Sequence, residues 1–407
     1  MKTFLIKTFG CKVNQYESQE IREKFISAGY SEVGNDDIPS VCIINTCCVT
    51  ENAERKSRHF INRIKRTYPN SEIIVTGCSV NLKSESFKKA DFLIPNEKKD
   101  CILSVVEQCI KKIGIKEKGI AGFAGHTRAF VKIQDGCDQF CSYCIVPYVR
   151  GRSKSRDLEE IIAEVNRLVL SGYKEIVLTG VHLGDFDKFK QLIGYIDKIP
   201  ELLRIRLSSV EPQNMNDSII KSVIESSKIC RHFHMPMQSG SDKILKSMNR
   251  KYKFSEYQEI VRDIQNRIPG TTFTTDMIVG FPGEDENDFI ASCKAVNEIG
   301  FAKVHVFPYS KRPGTKAADF SGLISQSEIK RREKILEKEA NLTAQKVRDN
   351  LIGSIQDVLI EKITGRYNGY TEGYVPVSIK KGLVQNAFQK IKIIGQNEVS
   401  LLGEVCS

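Results

Sequence analysis

The chain has 407 residues, 41% hydrophobic and 27% charged, with a formal net charge of +11 and 13 cysteines. That length exceeds one ordinary core and predicts two or three domains, and the composition excludes a disordered, collagen-like or small disulfide-framework chain. No apolar run approaches a membrane span and the opening residues are too short and too charged for a signal peptide, so we expect a soluble, cytoplasmic protein whose reduced thiols are free to bind metal.

Residues 1–110 read as alternating strand and helix, with strands at 3–8, 41–45 and 72–76 and helices at 16–28 and 51–66. Such alternation predicts a parallel sheet with helices on its faces. A cysteine follows each strand: Cys11, Cys47 and Cys78. The carboxyl ends of parallel strands share one edge, where open α/β sheets bind ligands, so three cysteines distant in sequence are predicted to meet at one rim. Gly10 and Gly77, each just before one of them, suit close backbone approach to something bulky. Buried structural cysteine is the competing reading for all three, and the reading adopted for Cys42, inside a strand, and for Cys101 and Cys109, on a helical stretch. Cys48 neighbours Cys47 and competes with it.

The helix at 51–66 carries Arg55, Lys56, Arg58, Arg63, Lys65 and Arg66, with Glu51 and Glu54 in its first turn, where they suit the helix dipole. Leaving the metal rim directly, this run reads either as a phosphate contact or as a solvated face. The basic excess is spread along the whole chain, which suits a polyanionic partner met by several domains or simply a mildly basic protein.

Residues 111–127 read as a linker. A second α/β array follows, with strands at 129–134, 175–179, 204–209, 232–237, 272–279 and 303–308 and helices such as 157–170 and 255–267. Six βα units predict a barrel or partial barrel whose active face lies at the strand carboxyl ends. Thr179-Gly180, Ser209 to Glu211, His234 to Gln238 and Gly280-Phe281-Pro282-Gly283 all fall there. The loop after the first of these strands holds Cys137-x3-Cys141-x2-Cys144. Three thiolates hold three irons of a cubane and leave the fourth open to a ligand. A zinc knuckle competes, although a closed zinc site needs a fourth ligand that the sequence does not place nearby.

Ser325 and Glu328 form a capping box that opens a charged helix to about residue 347. Beyond it, 355–361, 373–379 and 390–394 read as strands with Gly365, Gly369 and Gly382 between them, as in a small barrel of oligonucleotide-binding type. Tyr367, Tyr370 and Tyr374, beside Lys380 and Lys381, would either stack on RNA bases or fill that barrel's core. Cys406 has no evident role.

The Cys137, Cys141, Cys144 spacing, with the aromatic Tyr143 just before the last cysteine, resembles the radical S-adenosylmethionine signature. With Cys11, Cys47, Cys78 and the terminal β module added, the chain is similar from end to end to the methylthiotransferases. Thr8-Phe9-Gly10-Cys11-Lys12-Val13-Asn14 most resembles the MtaB branch, which acts on N6-threonylcarbamoyladenosine in tRNA. The isopentenyladenosine branch, MiaB, typically has Gln-Met-Asn after that cysteine, and the branch acting on a ribosomal protein has Pro-Lys-Asn.

The resemblance implies an α/β chain of three parts: a flavodoxin-like parallel-sheet domain (1–120), a radical-SAM partial (βα)6 TIM-like barrel (125–344) and a small OB-like TRAM β-barrel (345–407). It implies two [4Fe-4S] clusters, one on Cys137, Cys141 and Cys144 that binds S-adenosyl-L-methionine, and an auxiliary one on Cys11, Cys47 and Cys78. Tyr143 would contact the adenine of S-adenosylmethionine, Thr179 and Gly180 would lie at its methionyl end, and Ser209, Glu211 and Gln238 would line its ribose or sulfonium side. The implied partners are a tRNA anticodon loop, an electron donor such as flavodoxin or ferredoxin, and a sulfur source, with no membrane. Two other functions compete: a MiaB-like enzyme acting on isopentenyladenosine, and a non-catalytic RNA-binding metalloprotein.

Overall fold

In the computed structural model, which describes residues 2–34, 37–107 and 118–406, the N-terminal alternation folds into a five-stranded sheet. Strands β1 (Thr3–Thr8), β2 (Ser31–Glu32), β3 (Val41–Thr46), β4 (Glu72–Gly77) and β5 (Phe92–Ile94) are all parallel and lie in the order β2-β1-β3-β4-β5. This is the flavodoxin-like order, which reverses direction between β1 and β3 and opens a crevice there. Phe4, Ile43 and Ile74 pack on Ile21 and Phe25 of the helix Lys12–Ser27. On the opposite face Leu5, Ile44 and Ile73 pack on Phe60, Ile61 and Ile64 of the helix Glu51–Thr67. Each such side chain contributes about 1.5–3 kcal/mol on full burial.

Local details depart from the sequence pattern. The first helix starts at Lys12, four residues earlier than expected, because Cys11 caps it in an extended conformation (φ −79°, ψ 178°) immediately after the turn at Gly10. Cys42 is buried in β3, but Cys101 is exposed, since it ends the short turn Asn96–Cys101 and the buried stripe begins only at Ile102. Cys109 and the 111–117 part of the expected linker lie outside the described residues. Residues 118–127 are a packed strap rather than a loose connection. Ile120 and Phe123 enter the central core, and the amides of Ala121 and Gly122 donate to the Glu23 carboxylate at 2.9 and 3.0 Å.

The central domain begins with β6 (Ala129–Lys132). The expected strand breaks there, and the chain turns out to pair β7 (Gln134–Asp135) with β8 (Lys154–Ser155) in a small antiparallel ribbon. Strands β9 (Glu175–Thr179), β10 (Arg204–Leu207), β11 (His232–His234), β12 (Thr272–Val279) and β13 (Lys303–Pro308) follow. They form the parallel triplets β10-β9-β6 and β11-β12-β13, and single bridges at Ile205–Ile229 and Ser209–His234 join the two. The result is a six-stranded curved parallel layer, a partial barrel, with the helices Leu158–Leu170, Phe189–Ile196, Asp217–Glu225, Phe254–Arg267 and Glu286–Ile299 between its strands. β11 stops three residues short of the expected end because Pro236 brings no amide to the ladder. Asp157 and Ser325 cap their helices, accepting from the amides of Glu160 and Glu328 at 3.2 and 3.3 Å, but the reciprocal half of the expected Ser325–Glu328 box is absent because the Glu328 carboxylate is taken by Arg331 and Arg332.

After the helix Gln326–Asp349, β14 (Ile355–Ile360), β15 (Gly369–Tyr370), β16 (Pro376–Ile379), β17 (Phe388–Gln396) and β18 (Leu401–Val405) close a barrel in the order β14-β15-β16-β18-β17. Val358, Val377, Ile391, Ile393 and Leu401 fill it. The barrel is seated through one buried charge cluster. Glu175 is 1% exposed and receives Arg206 Nε at 3.0 Å, Arg204 Nη1 at 3.4 Å and Arg128 Nη1 at 3.6 Å. The same guanidiniums reach across to the barrel, Arg128 to Glu361 and Arg204 and Arg206 to the carbonyls of Asp357 and Glu372, all at 2.8 Å. Among the described residues no helix is long and apolar enough to cross a membrane.

Candidate active site

Cys11, Cys47 and Cys78, carried by the turns after β1, β3 and β4, line one cavity of about 980 Å³ at the flavodoxin-like switch point. The backbone before them is built for close approach. Gly10 has φ +118°, and a Cβ there would stand 2.8 Å from the Cys47 Cβ; Gly77 has φ +99°, and a Cβ there would stand 2.3 Å from the Thr46 carbonyl oxygen. The buried Asn14 side chain ties two of the turns together, its Nδ2 donating to the carbonyls of Phe9 at 3.0 Å and Thr46 at 2.9 Å.

Arg150, on the short helix Val146–Arg150 that follows the other cysteine loop, reaches in from the central domain. It donates to Asn14 Oδ1 at 2.7 Å and to Glu17 and Asp135 at 2.9 Å. Its charge opposes the burial that raises the Cys11 and Cys47 thiols, the latter to about 12. A hydrogen bond from the Cys48 thiol, helped by Arg150 and Lys99 against burial, draws Cys78 downward. Cys48 itself packs with Cys78, Ile145 and Val149, and of the adjacent pair only Cys47 lines the cavity.

The second cysteine loop is pinned from below by the segment after the helix Asp242–Ser247. Ser142 donates through its hydroxyl to the Ser247 carbonyl at 2.8 Å and through its amide to the Met248 carbonyl at 3.0 Å, while Asn249 Nδ2 donates to the Phe140 carbonyl at 3.0 Å. Gly136 turns the chain into the loop with φ +73°, where a Cβ would lie 2.0 Å from the Arg152 carbonyl oxygen. Burial raises Cys137 to about 11 and Cys144 to about 12. Arg250, almost wholly buried, places Nη1 3.6 Å from Cys141 Sγ and 3.2 Å from Glu211 Oε1, pairs its Nη2 with Glu211 Oε2, and donates to the Pro236 carbonyl at 3.0 Å. Glu211 lines the cavity, so it and Arg250 connect the second trio to the space the first trio faces.

Thr179, Gly180 and Ser209 also line that cavity. Two expected contacts do not. Tyr143 packs with Ile244, Met248, Phe281 and Ala317, and Gln238 (φ +69°) is a backbone turn bridged to Met277. The terminal barrel supplies the far wall. Tyr367, Tyr370 and Tyr374 line the cavity rather than fill the barrel core, whereas Lys380 and Lys381 are exposed away from it. Tyr370 and Tyr374 stack at 4.5 Å with 12° between rings, and Arg128 lies over both, at 5.1 and 5.3 Å. Beside them, His232 packs its ring 5.2 Å from that of Tyr374, His232 Nε2 and His234 Nδ1 both meet Thr274 Oγ1, at 3.0 and 2.9 Å, and His234 Nε2 lies 3.4 Å from Asp276. Lys12 projects from the first turn of its helix into the same space; burial, with the charges of Arg128 and Arg206, lowers its ammonium to about 8.

None of the described cysteines is in a disulfide. Among the described residues no three His, Cys, Asp or Glu close around a single ion, and a four-iron cubane, much larger than an ion, takes its thiolates farther apart. Two thiol trios, each with basic or amide donors beside a sulfur and glycine where a side chain would intrude, fit such clusters. Residue patterns alone did not reveal Arg150, Arg250, Arg128 or Arg206. The one available signal was at Lys12 and Asn14, which share the first helical turn after Cys11.

Residues 131–296 match the radical SAM superfamily, and residues 3–95 match a family described as uncharacterized protein family UPF0004. The chain is 38% identical to the threonylcarbamoyladenosine tRNA methylthiotransferase MtaB of Chlamydia pneumoniae, over 99% of this chain and 98% of that one. It is 38% identical to the MtaB of Thermotoga maritima, over 92% and 91% of the two chains. It is also 36% identical to the tRNA-2-methylthio-N(6)-dimethylallyladenosine synthase of Clostridium novyi, over 99% and 96%. In fold it is similar to the radical S-adenosylmethionine methyltransferase TsrM of Kitasatospora setae, with a TM-score of 0.57 at 13% identity over 90% of this chain and 82% of that one.

Proposed function

The chain belongs to the tRNA methylthiotransferases of the radical SAM superfamily, and from that premise we propose that it converts N6-threonylcarbamoyladenosine beside the anticodon of tRNA into its 2-methylthio derivative. The observation that carries this reading is one cavity walled by all three domains, with the Cys11, Cys47, Cys78 rim facing Glu211 and the strand ends of the partial barrel. Cys137, Cys141 and Cys144 hold the cluster that binds S-adenosyl-L-methionine, and Cys11, Cys47 and Cys78 hold the auxiliary cluster; Cys47, not Cys48, is the second ligand. We assign residues 1–120, 125–344 and 345–407 to the auxiliary-cluster, radical-SAM and TRAM domains.

The hydrogen on adenine C2 is neither acidic nor a leaving group, so a general base has little purchase on it. When bound, the clusters and S-adenosylmethionine supply the low-potential electron, the homolytic removal of that hydrogen and the methylated sulfur. The chain's own residues position and enclose. Arg250 holds Glu211 toward the cavity and donates to Cys141. Thr179, Gly180 and Ser209 form the wall on the S-adenosylmethionine side. Tyr367, Tyr370 and Tyr374, stiffened by their mutual packing and by Arg128, form an aromatic wall on the cavity against which an extruded base can pack. The exposed Lys303 and Arg366 at the cavity suit the RNA backbone. The reaction needs an electron donor such as flavodoxin or ferredoxin and a sulfur source, and belongs in the cytoplasm with its tRNA.

The test is anaerobic reconstitution followed by nucleoside mass spectrometry of treated tRNA. About eight irons per chain and a methylthio mark on threonylcarbamoyladenosine are expected. A mark on isopentenyladenosine alone would give the substrate to the other branch, and one zinc with no mark on any nucleoside would make the chain a binding protein.

A further inference from the structure

Three of the six Lys and Arg residues on the cavity wall already have partners. Arg150 is held by Glu17, Asp135 and Asn14, Arg206 by Glu175 and two barrel carbonyls, and Arg348 by Gln396 and the Glu398 carbonyl. Lys303 and Arg366 are exposed. Lys12 differs from all of these. It is half-buried, next to Cys11, and among the described residues its Nζ has no hydrogen bond and no carboxylate within ion-pair distance.

Among the described residues, none of the groups facing Lys12 bonds its Nζ. Arg128 and Arg206 add like charge, Asp276 is shared with His234, and the Cys11 thiol is close by. An ammonium so placed, partly out of water with its donors unused, is open to an anionic group that enters the cavity. The anion must lie near Cys11, the residue on whose side of the cavity sulfur is presented.

We propose that Lys12 binds the carboxylate of the amino-acid side chain on the target adenine and thereby sets the preference for the threonylcarbamoyl base over bases with neutral N6 substituents. This rests on the function proposed above. In that base a planar ureido group joins N6 to the amino acid, and its distal N–H points back to ring N1. The carboxylate is thus swung toward the ring edge that carries C2, so a cation beside the sulfur-presenting rim meets it when C2 faces that rim.

The test compares dissociation constants of the anaerobically reconstituted full chain for three anticodon stem-loops that differ only at the target: threonylcarbamoyladenosine, its carboxamide analogue and adenosine. For the natural protein the acid is expected to bind about tenfold or more tighter than the amide, the scale of one charge-assisted hydrogen bond. Lys12→Met and Lys12→Gln should bring that ratio near one, and Lys12→Arg should restore most of it. An unchanged ratio in Lys12→Met and Lys12→Gln would overturn the proposal. So would an equal loss for all three stem-loops, which would make Lys12 a phosphate contact, or weakened S-adenosylmethionine binding with the ratio intact, which would make it a cofactor contact. The natural protein needs no variant to be informative. Equal binding of acid and amide, with the methylthio product still formed, defeats this inference alone, whereas no product on the threonylcarbamoyl stem-loop defeats the proposed function beneath it.

Discussion

Glu175→Gln removes one charge and almost no volume from the seat of the terminal barrel. Glu175 is 1% exposed and lies within 3.0 to 3.6 Å of three guanidiniums, with Glu361 the second carboxylate, 2.8 Å from Arg128. The variant leaves three cations facing one carboxylate. Removing one partner of a buried pair costs about 3–5 kcal/mol, and three guanidiniums around one acid put the loss at the upper end. Against the roughly 5–15 kcal/mol that holds a whole domain folded, this is enough to undock the barrel. Calorimetry of the full chain should then resolve an early transition, and limited proteolysis should cut faster in the turn between the helix Gln326–Asp349 and β14. Superimposable melting and cleavage of variant and natural protein would refute the reasoning.

The same cluster has a pH signature. Burial alone pushes the Glu175 carboxyl up, but Arg206, Arg128 and Arg204 outweigh it and hold the carboxyl below its usual range. A depressed folded-state value means the stabilisation is complete above the unfolded value, about 4.3, and is lost as pH falls through the folded one. The early transition should therefore appear in the natural protein only below about pH 4, and Glu175→Gln should lack that acid limb.

Three further outcomes follow from the cysteine sites. Gly10→Ala must adopt φ +118°, a strain of about 1–3 kcal/mol, with its Cβ 2.8 Å from that of Cys47; about half the iron should be lost after reconstitution, and full iron content would show that the turn yields. Cys47→Ser should lose the same half while Cys48→Ser keeps it, and the reverse result would move the ligand by one residue. Arg250→Met withdraws the donor 3.6 Å from Cys141 Sγ and leaves Glu211 unpaired, so a redox titration followed by electron paramagnetic resonance should find that cluster harder to reduce; an unchanged potential would show that the guanidinium does not tune it.

What sequence reasoning captured and missed divides along physical lines. The three cysteines of the first rim could be placed because strand–helix alternation forces parallel pairing, and parallel pairing puts every strand's carboxyl end on one edge. The local spacing of Cys137, Cys141 and Cys144 needed no fold at all. Arg250, Arg150 and Arg206 were invisible because a charged residue on a pattern of helices and strands reads as solvated, and only long-range packing reveals the acid that buries it. Tyr370 and Tyr374 were picked out, but the choice between core and stacking surface turned on Arg128, more than two hundred residues away. β15 and β18 were missed because one is two residues long and the other carries Gly403 and Glu404 in mid-strand.

The way Glu175 seats the barrel also bears on how such chains can be recombined. A domain boundary drawn along the helix Gln326–Asp349 looks like a natural joint for building chimeras. Yet Arg128, Arg204 and Arg206, paired with Glu175 on one side, also depend on Glu361 for charge and on the carbonyls of Asp357, Thr371 and Glu372 as hydrogen-bond acceptors on the other. A transplanted barrel lacking that acid and those turns would leave the three guanidiniums of the central domain with Glu175 alone and with unused donors. Any exchange of this module must therefore carry the arginines and their oxygens as one unit, with a crossover far upstream of the helix that joins the two folds.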